Sequence, residues 1–462
     1  MDRDLLIRGG TVVTVDPAFG TIAAGDVLVR DGRIADVGTI SGAPDVETVD
    51  AAGMIVMPGL IETHWHMWSS LGRNFINDGF EYFPAKWASA AHYTPDDFYR
   101  SVRLGLVEAA NAGITTVHNW SHNTRTPAHA DAELSAHRDV RVRARYAYGH
   151  RDALPVDEAL DFADIDRVAG EWFGGDGAFD GLVHLGVNLR GPDLGEIAVF
   201  DTEMAEARAR RLPVAIHTVQ GGSTAVDAVE LERKGYLGPS FLVAHFLAAT
   251  AADRGALART GTPLSFAVHS ELRLGDAGDA RAALLEMLAA GVNVSFSIDA
   301  TSIAPVDLFQ AMNVAWNLGI PWEGSPTADL PGLTFDRCVA IATINGARAL
   351  GLGDVTGSLS PGKAADIILV RAADLNVAPL AAVESAIVRA VTPANVDSVL
   401  VGGRWVKRSG ELVGIDVGEV VREATASAEA IRQRAGGRLA AELVSDVAES
   451  AAAAGPAETD DR

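Results

Sequence analysis

Several short apolar runs in this chain stop at a histidine or an aspartate, and that punctuation limits the fold more than any other feature. Met54 to Ile61 leads through Glu62-Thr63 into His64-Trp65-His66, Leu212 to Ile216 ends in His217, Phe241 to Ala244 in His245, and Val292 to Ile298 in Asp299. Apolar runs of this kind suit parallel strands buried on both faces. A polar turn and a helical segment follow each run. Functional side chains collected at the C-terminal ends of several strands mark a (β/α)8 (TIM) barrel, where the βα-loops form the pocket. Strand side chains alternate faces, so His64 and His66 point the same way and Trp65 points elsewhere.

Three imidazoles and a carboxylate make a borderline-soft N3O set that suits zinc, with ferrous iron and manganese as alternatives. Taken singly, His217 or His245 reads as a core histidine paired to a backbone carbonyl. Taken together, these strand ends read as a site for a divalent metal ion.

A chain of 462 residues has room for a large barrel and an accessory domain. Its net charge of −23 argues against nucleic acid or an anionic membrane as partner, since both need basic patches. The single cysteine, Cys338, allows no intrachain disulfide and fits a reducing cytoplasm. Met1-Asp2-Arg3-Asp4 runs straight into an alternating strand and does not look like a signal peptide. No apolar run approaches the roughly 18 to 20 residues of a membrane span. A cytoplasmic homo-oligomer acting on a small molecule is expected.

Along the chain, residues 4–53 alternate apolar and polar around Gly9-Gly10, Asp16-Pro17 and Asp31-Gly32, as short strands and hairpins do. Residues 364–413 do the same, with Gly402-Gly403 as a tight turn. Between them, eight apolar strands are expected near 55–61, 115–118, 142–147, 182–187, 212–217, 241–245, 263–268 and 292–298. Residues 67–95 are expected to cover the pocket as a loop. Helical periodicity appears at 96–112 and 279–290. The expected division is 1–54 and 355–415 outside the barrel, 55–354 as the barrel, 416–447 as a helical extension and 448–462 as a disordered tail.

The chain resembles the amidohydrolase superfamily, in the branch of triazine hydrolases and cytosine, guanine and adenosyl-homocysteine deaminases. The resemblance runs from about Leu5 to Val413. It rests on the His-x-His strand, Gly113-Ile114-Thr115-Thr116-Val117, Ser270 to Gly275, Ala342 to Ala347, and Gly357 to Asp366. It implies that both chain ends form one small β-sandwich beside the barrel. It also implies one metal ion held by His64, His66, His217 and Asp299, with His245 as a pocket histidine. The fourth-strand segment, Leu182 to Asn188, has no lysine where two-metal members carry a bridging one.

On this reading a bound cation lowers the pKa of its water toward neutrality. Asp299 takes the proton as that water attacks an sp2 carbon, and His245 stabilises the oxyanion or passes a proton to the leaving nitrogen. The implied activity is hydrolysis of a non-peptide C–N bond, by an aminohydrolase (deaminase-like) or a cyclic amidine or amide hydrolase. One alternative is a secondary-metabolite tailoring enzyme acting on an amide or amidine of a larger, possibly peptide-derived, substrate. Another, of a different class, is a non-catalytic scaffold, against which the full set of ligands argues.

Ring deaminases of this branch carry a glutamate three residues after the fifth-strand histidine, whereas this chain has Gln220. An amide can orient a substrate but cannot relay a proton. Expected substrate contacts are therefore Gln220, an aromatic wall of Trp65, Trp68, Phe83 and Trp120, and His118 or His122 at the second strand end. Arg73, Arg190 and Glu271 are candidate polar selectors.

Overall fold

The computed structural model describes residues 4–436 except 44, 76–81, 153, 176, 193–194, 219–225, 276–278, 322 and 326. Eight parallel strands follow one another in sequence order around a barrel: Leu60–Ile61, Ile114–Ser121, Arg143–Gly149, Val183–Leu189, Val214–His217, Phe241–Ala244, Leu264–Phe266 and Val294–Phe296. Helices separate them, each burying an apolar stripe against the strands, as the alternating βα pattern requires. Helix Pro95–Asn111 is well delimited. Thr94 and Asp97 form a reciprocal capping box with Pro95 at its start.

The expected first strand, 55–61, is in fact two strands. Met54–Pro58 leaves the barrel and pairs antiparallel with Ile367–Arg371, while Leu60–Ile61 pairs with the second barrel strand. The break is at Gly59, where a Cβ would lie 2.1 Å from Thr115 Oγ1. Only glycine allows the two backbones to approach that closely. The apolar run shows no break because residues on both sides of Gly59 are buried.

Met54–Pro58 sits at the middle of a second sheet that both chain ends build. Its order is Glu411–Leu412, Arg404–Arg408, Val396–Val401, Ile367–Arg371, Met54–Pro58, Leu5–Val13, Thr21–Arg30, Arg33–Gly38, with Glu47–Asp50 beside Leu5–Val13. The period of two decides what each face touches. Ile55, Met57, Ile368 and Val370 join the barrel's core, whereas Val56, Ile367 and Leu369 join a separate core with Leu5, Val27, Val29 and Leu400. The sheet folds back on itself, since the turn at Gly32 lies against Gly403. Arg143 of the third barrel strand donates two hydrogen bonds to Asp366, at 2.8 and 3.1 Å, and so fastens the two bodies through a buried pair.

Residues 67–95 contain a 3-10 helix (Met67–Gly72) and an α-helix (Tyr82–Ala90) rather than a plain loop. Ser270–Gly275, which resembles the family's loop after the seventh strand, lies largely within the helix Val268–Leu274. The C-terminal helix, described over Val417–Arg434, lies on Pro95–Asn111. Arg103 bridges to Glu423 at 2.7 Å and to Glu419 at 3.3 Å, and Ala424 and Ile431 pack with Trp68, Tyr93 and Phe98. No helix among the described residues is long and apolar enough to cross a membrane.

Candidate metal centre and active site

The barrel closes at the residues singled out from the sequence. Past Ile61 the first strand keeps bonding to the second, from Glu62 N to Thr116 O and from Trp65 N to His118 O. On its other edge His66 N donates to Asp299 O at 2.7 Å, and Asp299 N donates to His64 O at 2.8 Å. The seam between first and eighth strands is thus made by the stretch that carries His64, His66 and Asp299. Asp299 (φ 65°), His245 (φ 73°) and Phe246 (φ 60°) all occupy the left-handed region. Aspartate and histidine tolerate that region better than most residues, but for phenylalanine it is a strained position. Such strain persists where surrounding structure enforces it, commonly at functional sites.

The side-chain donors of His64, His66 and His217 lie within 4.8 Å of one another, as do those of His64, His245 and Asp299. Asp299 Oδ1 is 3.3 Å from His64 Nε2 and 3.2 Å from His66 Nε2, and His217 Nε2 is 3.2 Å from His66 Nε2. His64 is fully buried, yet neither of its ring nitrogens makes a hydrogen bond of sound geometry, although Asp299 lies beside Nε2. Orphaned buried polar atoms cost about 1–3 kcal/mol each. A cation among these four side chains would satisfy His64 Nε2 and separate lone pairs that otherwise face each other. The donor set therefore fits a divalent metal. Burial drives His64 and His66 down to about 3 and His217 well below the usual histidine range. Each is then the neutral imidazole that a metal requires. Burial would raise Asp299, but the facing imidazoles outweigh it and hold the carboxyl well below its ordinary value.

Under this cluster lies Glu62, which the sequence reading passed over. Its carboxylate accepts from His64 N at 2.7 Å, Ile298 N at 3.3 Å and His118 N at 3.4 Å, tying together the first, second and eighth strand ends. Burial raises its pKa to about 8. A signal was available. Glu62 is two residues before His64, hence on the same strand face, and it is a charge in an otherwise apolar run.

His245 differs from its neighbours. Its Nδ1 lies 2.8 Å from Glu271 Oε1, which also accepts from Ala267 N at 3.2 Å. Burial alone would lower His245, but the Glu271 charge and hydrogen bond push it up to about 9. Its ring is parallel to that of His217, with centroids 5.5 Å apart. Glu271, expected as a substrate selector, is instead the brace of His245.

Other expected substrate contacts are also occupied. Trp68 is fully buried and donates its indole N–H to His122 Nδ1 at 3.1 Å. Trp120 packs its ring 4.5 Å from His64 and 4.1 Å from His217, so it walls the imidazole cluster. His118 Nδ1 lies 2.9 Å from the Thr63 carbonyl oxygen, and its ring is fully buried. Arg190 donates to the carbonyls of Leu154, Pro155 and Glu158 and holds the loop after the third strand. Arg73 pairs with Glu108 at 2.7 Å. Trp65 faces outward against Gly105. Phe83 is 43% exposed on Tyr82–Ala90. Gln220 lies outside the described residues. Asp152 and Lys86, both missed from the sequence, stand behind His122, where Asp152 Oδ1 is 3.2 Å from His122 Nε2 and 3.4 Å from Lys86 Nζ.

Known proteins with this arrangement are numerous. The chain is 32% identical over 451 residues to a 5-methylthioadenosine/S-adenosylhomocysteine deaminase of Symbiobacterium thermophilum, covering 92% of this chain and 99% of the relative. It is 27% identical over 445 residues to a 5'-deoxyadenosine deaminase of Methanosarcina barkeri, covering 93% and 99%. Among solved structures, a zinc-bound adenosine deaminase from Xanthomonas campestris superposes with a TM-score of 0.80 at 24% identity, over 93% of this chain and 99% of that one. Atrazine chlorohydrolase from Arthrobacter aurescens TC1, complexed with zinc, superposes with a TM-score of 0.76 at 21% identity, over 92% and 100%. Residues 55–406 match the model of the amidohydrolase family. The chain belongs to the amidohydrolase family, as a metal-dependent hydrolase of carbon–nitrogen bonds other than peptide bonds.

Proposed function

We propose that His64, His66, His217 and Asp299 hold one zinc ion and that the protein is an aminohydrolase of a small nitrogen heterocycle. The observation that carries this reading is the buried His64, with no well-formed hydrogen bond at either ring nitrogen, in a cluster of imidazoles and one carboxylate. An N3O set suits zinc, and zinc is the metal of the adenosine deaminase and chlorohydrolase structures. When bound, the cation supplies an acidified water and polarises the electrophile.

The protein's own groups divide the remaining work. Asp299, held ionised, accepts the proton released as the water attacks. His245, held as a cation by Glu271, lies beside His64, His217 and Asp299 and donates toward the developing oxyanion or the leaving nitrogen. Trp120 and Glu62 keep the imidazoles in place from the side and from below. The deaminase relatives place an aminated purine among the first substrates to test. Gln220 in place of the family's glutamate favours a second reading, a tailoring hydrolase of an amide or amidine in a larger molecule, because the ring-protonating acid is missing.

The test is metal analysis of the purified protein followed by a substrate panel read by mass shift. The panel comprises 5'-deoxyadenosine, 5-methylthioadenosine, S-adenosylhomocysteine, aminated pyrimidines and triazines, and amides or amidines with larger substituents. Near-stoichiometric zinc with ammonia release supports the first reading, and release of a primary amine supports the second. Absence of metal would overturn both.

A further inference from the structure

Behind His66 runs a chain of polar contacts whose proton positions follow from one donor. An indole N–H donates and never accepts, and Nε1 of Trp68 lies 3.1 Å from Nδ1 of His122. His122 Nδ1 is therefore an acceptor, and the ring proton sits on Nε2, which lies at ion-pair distance, 3.2 Å, from Asp152 Oδ1 but outside hydrogen-bond geometry. The other neighbour of His122 Nδ1 is Nδ1 of His66, at 2.9 Å. His122 Nδ1 has one lone pair, shared between the indole and His66, and with no proton of its own the proton in the His66 contact belongs to His66. His66 then carries hydrogen on Nδ1 and presents a bare Nε2 to Asp299 and His217, each 3.2 Å away.

We infer that Trp68 is a positioning residue that fixes the tautomer of His66 through His122, with Asp152 and Lys86 anchoring the other end of the chain. The inference rests on the proposal that His66 is a metal ligand. Neighbours that orient a ligating imidazole and fix its tautomer raise metal affinity, and their loss typically costs roughly ten- to hundred-fold.

The indole is held firmly enough for this. Trp68 is fully buried, stacks on Phe98 at 5.5 Å and meets Tyr93 edge-on at 5.2 Å. Ala424 and Ile431 of the C-terminal helix close the same cluster. At the opposite end, Lys86 belongs to the helix Tyr82–Ala90, and its Nζ lies 3.4 Å from the Asp152 oxygen that faces His122. Two helices distant in sequence are therefore linked to one imidazole, the C-terminal helix through Trp68 and Tyr82–Ala90 through Lys86 and Asp152. A small cavity of ≈ 20 Å³, lined by Trp68, Tyr82, Lys86, Tyr93 and Ser302 among others, adjoins the chain of contacts. It leaves room for about one water molecule.

The tautomers can be read directly with 15N-histidine-labelled full-length protein, metal-free and zinc-loaded, using long-range 1H–15N correlation. His66→Ala and His122→Gln assign the two rings. The expected pattern for His122 is a protonated Nε2 and a bare Nδ1. In Trp68→Phe, which keeps an aromatic ring but removes the N–H, that pattern becomes mixed. Zinc affinity by chelator competition falls roughly ten- to hundred-fold in Trp68→Phe and in Asp152→Ala. A proton on His122 Nδ1 in the unaltered protein overturns the inference, as does unchanged zinc affinity in both variants. If Trp68→Phe does not fold, the unaltered protein's spectrum and Asp152→Ala carry the test. Full zinc retention by His66→Ala would sink the ligand proposal instead, and it is read separately from the His122 pattern.

Discussion

His66 and His245 lie in one cluster at nearly equal depth, 4% and 6% exposed, yet one is neutral and the other a cation. On the side of the first and second strands, His66 meets the His122 imidazole at Nδ1 and Asp299, which it shares with His64, at Nε2, and burial brings its pKa down to about 3. On the side of the sixth and seventh strands, His245 leans on a carboxylate, and its pKa rises to about 9. Burial and a nearby carboxylate are common to both; Glu271, at 2.8 Å, outweighs burial at His245, whereas Asp299, at 3.2 Å and shared with His64, does not at His66. A neutral imidazole can give a lone pair to a metal, whereas an imidazolium can give only protons. This difference supports reading His66 as a ligand and His245 as the acid of the proposed mechanism.

The sharpest way to break that contrast is to remove ligands. His64→Ala and His217→Ala are expected to strip most of the metal and essentially all turnover, as measured by elemental analysis of the purified variants. Stoichiometric metal in both would mean that the shell is assigned wrongly.

His245→Ala should behave differently, keeping its metal while kcat drops by about two to four orders of magnitude, the usual contribution of a positioned proton donor. Wild-type turnover would remove His245 from the mechanism, and loss of metal would move it among the ligands.

Glu271→Gln sharpens the comparison further. Because Glu271 raises the pKa of His245, the cation persists below about 9 and is lost as the pH climbs through that value. Activity that needs the cation falls along the same limb. Without the carboxylate, burial prevails and His245 titrates lower, so the alkaline limb of the pH–rate profile should move toward acid with metal content unchanged. A limb that stays in place would have to be assigned to another group.

The smallest effect is expected at Gln220. If Gln220 contacts the substrate, Gln220→Glu should lower turnover of the native substrate several-fold, since it replaces a neutral amide with a negative charge. On aminated heterocycles the same change should raise deamination by restoring a proton relay. Unchanged rates on both substrate types would make Gln220 a bystander.

The sequence fell short where partners are distant in the chain. Glu271 is 26 residues from His245, and nothing local marks it as that histidine's brace. Asp152 and Lys86 sit in separate connecting segments and acquire meaning only beside His122. Arg190 and Trp68, expected to face a substrate, spend their donors on the protein instead. A polar residue at a strand end signals chemistry, but its free valences depend on which neighbours reach it first.

The sequence by itself determined the barrel and the strand ends where His64, His66, His217, His245 and Asp299 stand, while the sheet shared by both chain ends followed from the family resemblance. Period-two alternation, apolar parallel strands and turn glycines are local physics, readable within a few residues. Only the tertiary structure decided the split at Gly59, the buried Glu62, and the contrast between His66 and His245. Those depend on close approach and charge between side chains that the fold, not the chain, makes neighbours.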